Sequence, residues 1–258
     1  MLKQLKYKLR PNEEEGPNYE TTDGNLIEQK KHVKDLGIIM DDSATFSENI
    51  AVVTRKAKSR TGWILRTFQS RDQYVMKTLL KSLIYPIVEY GCQLWSPEKK
   101  CEIQKLEDVQ RSFTRMIDGM QKKSYWERLT LLKLYSLERR RERYIIIYTW
   151  KLLYGKIPNI EGDKRIKMKY CERKGVQCQP PSLKPNVMSR VQSMIDNSLA
   201  VKGPRLFNKL PKDLRAFNGN LETFKKKLDE FLTKIPDQPV LPQYSQTETS
   251  NSLIKRIM

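Results

Sequence analysis

Thr45–Phe68 reads TFSENIAVVTRKAKSRTGWILRTF, and Ser70–Tyr90 follows as SRDQYVMKTLLKSLIYPIVEY. In the first stretch Ile50, Val53, Ala57, Ile64 and Phe68 recur at spacings of three, four and seven, which puts them on one face of a helix. Arg55 and Arg66 fall on the other side, flanked by Lys58. Thr45 and Glu48 have the spacing of a capping box, and Ser70 and Gln73 repeat it at the start of the second stretch. The second helix is far more apolar, carrying Val75, Leu79, Leu83 and Ile84. It is expected to be the core element on which the basic helix lies.

The charge surrounding this pair is extreme. The 258 residues carry a net +19. Residues 1–50 are net −3, residues 51–175 net +16 and residues 176–258 net +6. The positive field therefore centres on the helical region, and nucleic acid is the natural partner, ahead of an anionic membrane surface. A lysine-rich solvated surface would give the same composition. No run approaches the ~20 apolar residues of a membrane span, and the start, MLKQLKYKLRP, has no apolar signal-peptide core. An intracellular location, nuclear or cytoplasmic, is expected. Cys92, Cys101, Cys171 and Cys178 fit no common zinc spacing, and His32 is the one histidine. Free thiols and no cofactor are expected.

Upstream of the basic helix, residues 2–40 read as short strands. Leu5, Tyr7 and Leu9 alternate, and Asn12–Glu15 forms an acidic loop. Tyr19–Ile27 reads as a hairpin turning at Asp23-Gly24. His32–Met40 reads as one further strand. Three short strands fold poorly alone, so they are expected to be the edge of a larger sheet, separable from the helices. Asp41-Asp42 then follows an apolar strand. An adjacent carboxylate pair there suggests a two-metal site, but a turn into the next helix is the reading preferred here.

Downstream, Pro97 after Ser96 is placed to open a helix with Ile103, Leu106, Val109, Phe113 and Ile117 on one face, with Gly119 closing it. Ser124 and Glu127 form another capping box, starting a short helix that runs to about Lys133. Leu137–Tyr154 is a further helix, with Arg139-Arg140-Arg141 near its start, a run that opposes the helix dipole and suggests an external use for the charge. Trp63, Tyr90, Trp95, Trp126, Tyr144 and Trp150 have the chemistry to stack on bases, but at helical spacing they read as core. Residues 156–197 lack periodicity and read as a basic linker. Ser198–Val201 reads as a strand and Gly203-Pro204 as a turn. Asn220 caps a last helix with Leu221, Phe224, Leu228, Phe231 and Leu232 facing inward. From Pro236 the chain is polar and expected to be disordered.

Several of these stretches, in order, resemble the C-terminal part of reverse transcriptases from non-LTR, LINE-type retrotransposons of the jockey-like group. They are LKYK, the Tyr19–Gly24 hairpin, VKDLGIIM, FSENI, GWILRTF, KSLIYPIVEYGCQLWSP, LEDVQRSFTRMI, SYWERLTLLKLYSLERRR, GPRLFNKLP and FKKKLDEFL. The resemblance implies that VKDLGIIM is the primer-grip strand, with Lys34, Asp35, Leu36 and Gly37 placing a primer end by backbone contact. It implies that residues 45–155 form the thumb that holds a primer–template duplex. In that family the Mg²⁺-binding carboxylates lie upstream, in an aromatic-x-Asp-Asp hairpin and an earlier strand, and this sequence is expected to start after both. Asp41-Asp42 matches that pair in letters only.

The fold expected is therefore mainly α. A short antiparallel β segment (1–42, palm remnant) precedes a helical thumb-like domain (43–155), a basic linker (156–197), a small α-rich extension (198–236) and a disordered tail (237–258). The function expected is that of a truncated RNA-directed DNA polymerase. Lacking its own catalytic carboxylates and the palm and fingers of the parent enzyme, it would bind RNA, DNA or their hybrid non-specifically through phosphates. The candidate contacts are Lys34, Asp35, Leu36, Gly37, Arg55, Lys58, Arg66, Arg139, Arg140, Arg141 and Arg143. The alternative is a helical scaffold for protein partners, which salt-independent binding would favour.

Overall fold

The structure is a computed structural model. It describes residues 19–20, 24, 26–27, 30–41, 44–157, 167–180, 195–239, 241 and 251–254. The alternating Leu5–Leu9 segment, the acidic loop at Asn12–Glu15, Asp23 and Asp42 lie outside them.

The described residues are mainly helical, with short antiparallel hairpins. β1 (Tyr19–Glu20) pairs with β2 (Leu26–Ile27), and Gly24 between them takes φ 81°. β3 (His32–Asp35) pairs with β4 (Ile38–Asp41). The single strand expected over His32–Met40 is thus a hairpin. It turns at Leu36 (φ 45°) and Gly37 (φ 85°), the left-handed pair that a tight two-residue turn requires. Leu is costly at that φ, which is why Leu-Gly gave no turn signal in the sequence. The hairpins do not join into one sheet.

The β3–β4 hairpin packs on the helices. Ile38 is buried in the helical core. The Ile39 N–H donates to Asn49 Oδ1 at 3.1 Å, and the Tyr90 hydroxyl donates to the Leu36 carbonyl at 2.9 Å. Asp41 opens α1 (Ser47–Thr67): its carboxylate accepts from the Thr45 N–H and hydroxyl and from the Phe46 N–H, at 2.8–2.9 Å. Three charge-assisted bonds there replace the expected Thr45–Glu48 capping box.

α2 (Gln73–Leu79) is capped by Asp72, which accepts from the Tyr74 and Val75 N–H groups, so the cap sits two residues beyond Ser70. It runs through a π-helical turn, Leu80–Ile84, into α3 (Tyr85–Glu89). The widened turn lies just before Pro86, whose ring lacks an N–H and crowds the preceding turn. After α4 (Cys92–Trp95), α5 (Lys100–Arg115) starts at Lys99, not at Pro97. α6 (Tyr125–Leu132) carries the complete Ser124–Glu127 capping box.

α7 (Leu137–Leu153) joins two apolar clusters. Its first turn packs Leu137 into the cluster built on Ile50, Ile64, Met76, Val88, Trp95 and Phe113. Farther along, Ile145, Ile146 and Trp150 belong to a second cluster with Phe207, Phe224 and Leu228. Fully burying side chains of this size stabilises the fold by roughly 1.5–3 kcal/mol each. Trp150 stacks on Phe224 with centroids 4.5 Å apart.

The stretch expected to be a linker contains a hairpin, β5 (Lys167–Cys171) with β6 (Gly175–Gln179). The expected strand at Ser198–Val201 begins a helix instead, α8 (Leu199–Phe207), which includes Gly203 and Pro204. At Gly203 a Cβ would sit 2.5 Å from Thr149 Oγ1, so the absent side chain is what lets α8 lie against α7. α9 (Lys212–Arg215) and α10 (Leu221–Leu232) follow, and Asn220 caps α10 as expected. The tail is not wholly loose. Asp237 accepts from the Ser136 N–H and hydroxyl at 2.7 and 2.8 Å, Asn251 is buried, and Leu253 joins the second cluster.

Candidate nucleic-acid interface

Helical geometry places residues of α1 about 100° apart around the axis. Arg55, Ser59, Gly62, Trp63 and Arg66 therefore share one stripe, with Lys56 and Arg60 beside it on one flank and Lys58 on the other. Ile50, Ala57 and Ile64 face the core. Arg55, Lys56, Lys58, Arg60 and Arg66 are all exposed. None of them meets a carboxylate among the described residues. A shallow groove of about 650 Å³ runs along Arg55, Lys56, Ser59, Arg60 and Trp63, with Ile87 of α3 as its wall. Trp63 is 42% exposed and edge-on to Phe68, and the Arg60 guanidinium stands 5.4 Å from its ring centre. Unpaired cations around an exposed aromatic ring suit phosphates and a stacked base.

The turn of the β3–β4 hairpin lies near the C-terminal end of α3, tied through Tyr90, and His32 reaches Glu48 on α1 at 3.0 Å. Lys34, Asp35, Leu36 and Gly37 are exposed, Leu36 to 81%.

The arginines of α7 behave differently. Arg139 and Arg141, at 0% and 1% exposure, are buried, so the expected outward basic run is corrected at both. Arg139 donates to the Pro236 and Asn251 carbonyls at 3.3 Å. Arg141 lies near the buried carboxyls of Glu107 and Glu138. Arg140 pairs with Glu89 and covers the Tyr85 ring at 3.8 Å. Arg143 makes a two-pronged pair with Asp229, at 2.6 and 2.8 Å. The physical reason is the position of α7, which is packed on several sides by α4, α5 and α8. Two of its charges, Arg140 and Arg143, are paired internally with acids from other segments, Glu89 and Asp229. Glu138 and Glu142, interleaved with the arginines, were the one sequence signal for this.

Burial raises the pKa of Glu107 and Glu142 to about 7 in each case; for Glu142 the neighbouring Glu138 adds to the effect. Of the aromatics weighed for stacking, Trp95 and Trp150 are core and Trp126 and Tyr144 half-buried, while Trp63 and Tyr90 stay exposed.

A catalytic Mg²⁺ pair of the polymerase type does not fit Asp41, because both of its carboxylate oxygens already hold the start of α1. Among the described residues no three His, Cys, Asp or Glu side chains are grouped to bind a metal. No helix among them is long and apolar enough to cross a membrane.

Over part of its length the chain is similar to a protein named as a probable RNA-directed DNA polymerase from transposon X-element of Drosophila melanogaster. Identity is 24% over 96 residues, covering 36% of this chain and 11% of that protein. The chain thus matches only a small part of the polymerase. It is also 25% identical over 137 residues to an uncharacterised protein of Caenorhabditis elegans, covering 51% of this chain and 69% of that one. No family model and no solved structure matches the chain.

Proposed function

We propose that this chain is a thumb-like piece derived from a non-LTR retrotransposon reverse transcriptase, and that it binds RNA, DNA or their hybrid through backbone phosphates without polymerising. The observation that carries the reading is the outward face of α1, where five exposed cations have no carboxylate partner among the described residues and three of them, Arg55, Lys56 and Arg60, line a groove with the exposed Trp63. The similarity to a retrotransposon polymerase supports the origin. The β3–β4 turn, Lys34–Gly37, would meet the same duplex by backbone contact.

The test is a binding titration across salt concentration. Each phosphate contact releases condensed counterions, so log affinity falls with log salt by about 0.9 per contact on B-DNA. Changing Arg55, Lys58 and Arg66 together to Gln is expected to flatten that slope by roughly two to three units, similarly for all sequences. Helicity should hold, since Gln is nearly as good a helix former. An unchanged slope would remove α1 as the binding face, and salt-independent binding would favour the protein-scaffold alternative.

Asp41 tests the claim about catalysis. Primer extension is expected to be absent with either Mg²⁺ or Mn²⁺. Asp41→Ala should cost about 1 kcal/mol of stability through loss of its hydrogen bonds to Thr45 and Phe46 at the entry to α1, read by thermal melting. Template-dependent incorporation that Asp41→Ala abolishes would overturn the assignment of a purely structural role to this residue.

A further inference from the structure

A second basic cluster shares no residue with the α1 groove. Arg111 and Arg115 project from the last turns of α5, Arg128 from α6 and Lys123 from the turn between them. With Ser112 and Gln121 they line an open cleft of about 630 Å³. Arg128 is only 4% exposed, lies 5.6 Å from the centre of the Tyr125 ring, and its buried Nε–H has no hydrogen-bond partner. Among the described residues Asp108 is the one acid in an ion pair with this group, and it meets Arg111 alone, at 2.8 and 3.0 Å. Among the described residues neither Arg115 nor Arg128 has a carboxylate partner.

Such an arrangement is costly if nothing binds there. A buried guanidinium with an unmet N–H loses hydration without return, and like charges repel. The pKa of Arg128 is accordingly pushed down, first by desolvation and then by Arg115 and Arg111. Arg139 and Arg141 also hold unmet N–H groups, but they are enclosed in the core; this cluster faces an open cleft, and among the described residues one acid, Asp108, serves its four cations.

We propose that the cleft between α5 and α6 is a binding site for a dianionic phosphate group, held by Arg111, Arg115 and Arg128. Planar guanidinium forks present paired donors that match the oxygens of a phosphate, and a partly desolvated site strengthens each bond. The site is independent of the α1 face, so either assignment can fail without the other. Two sources share this chemistry: free phosphate or a nucleotide, and the terminal phosphate of an oligonucleotide.

The experiment uses the full chain and inorganic phosphate. At 10 mM, phosphate is expected to raise Tm by roughly 3 °C or more over potassium chloride of equal ionic strength, as a millimolar ligand of the native state should. Arg111→Gln with Arg115→Gln, both at positions still reached by solvent, should weaken phosphate binding about tenfold or more. A rise that chloride reproduces, or that the double variant keeps in full, would overturn the proposal. The source is read with two short RNAs that differ only in a 5′-phosphate or 5′-hydroxyl, on a chain whose α1 carries the three Gln changes. A preference for the phosphorylated end that the double variant loses assigns the oligonucleotide terminus. No preference, with the phosphate-induced rise intact, assigns free phosphate or a nucleotide.

Discussion

Arg140→Ala is expected to lower stability by about 3 kcal/mol while leaving the salt dependence of nucleic-acid binding unchanged. Arg140 and Glu89 retain only 19% and 11% of side-chain exposure, and the guanidinium also covers the Tyr85 ring. Removing one partner of a buried pair strands the other charge, at a typical cost of about 3–5 kcal/mol. The residual exposure argues for the lower end of that range. For a chain of this size the loss corresponds to a fall in Tm of about 10 °C. The double variant Glu89→Ala with Arg140→Ala should cost less than the two single changes added together, because neither charge is then left alone. The opposite pattern, a normal Tm with a salt slope reduced by about one, would return Arg140 to the nucleic-acid surface.

The second large effect is a loss of stability as pH rises from 5 to 8.5. Burial raises Glu107 and Glu142 to about 7 each, above the ordinary carboxyl value of ~4.3. In that interval the folded chain holds protons that the unfolded chain releases, so the slope of unfolding free energy against pH is negative. The contribution is fully present below the unfolded pKa and is lost as pH rises through about 7. A shift of this size is worth on the order of 3 kcal/mol per group as an upper bound. Glu107 accepts from the Glu138 N–H and the Tyr125 hydroxyl, and Arg141 is near; all three favour the ionised form, and burial outweighs them. Glu127 and Glu222 are lowered by their own partners and titrate below this window. Thermal melts at both pH values should differ by several degrees, and Glu107→Gln with Glu142→Gln should remove most of the difference. An equal or higher Tm at pH 8.5 in the parent chain would contradict it.

These two effects have a common origin in α7, the helix whose role the sequence left open. Its arginine run has the same composition whether it faces water or acids. The acids that pair with Arg140 and Arg143 sit far away in the chain, at Glu89 and Asp229. No periodicity links them to the arginines, so the pairing arises only when α3 and α10 close on one helix. The Asp237 and Asn251 contacts likewise place part of a polar tail inside the fold, where hydropathy alone indicates disorder.

The helical class, the inward and outward faces of α1, the Ser124–Glu127 and Asn220 caps and the β1–β2 pairing around Gly24 were legible in the sequence. Each of these rests on residues within one or two turns of each other, and local spacing carries that information. Long-range packing, by contrast, is what makes Leu36-Gly37 the turn of a hairpin and puts Gly203 inside a helix. These depend on a neighbour supplied from elsewhere: Tyr90 for a strained Leu36, and Thr149 for a position with no room for a side chain. The same division separates the two basic surfaces. The cations of α1 were legible because one amphipathic helix displays them. The cleft of Arg111, Arg115 and Arg128 exists only because the end of α5 packs beside α6, bringing like charges together where no local pattern joins them.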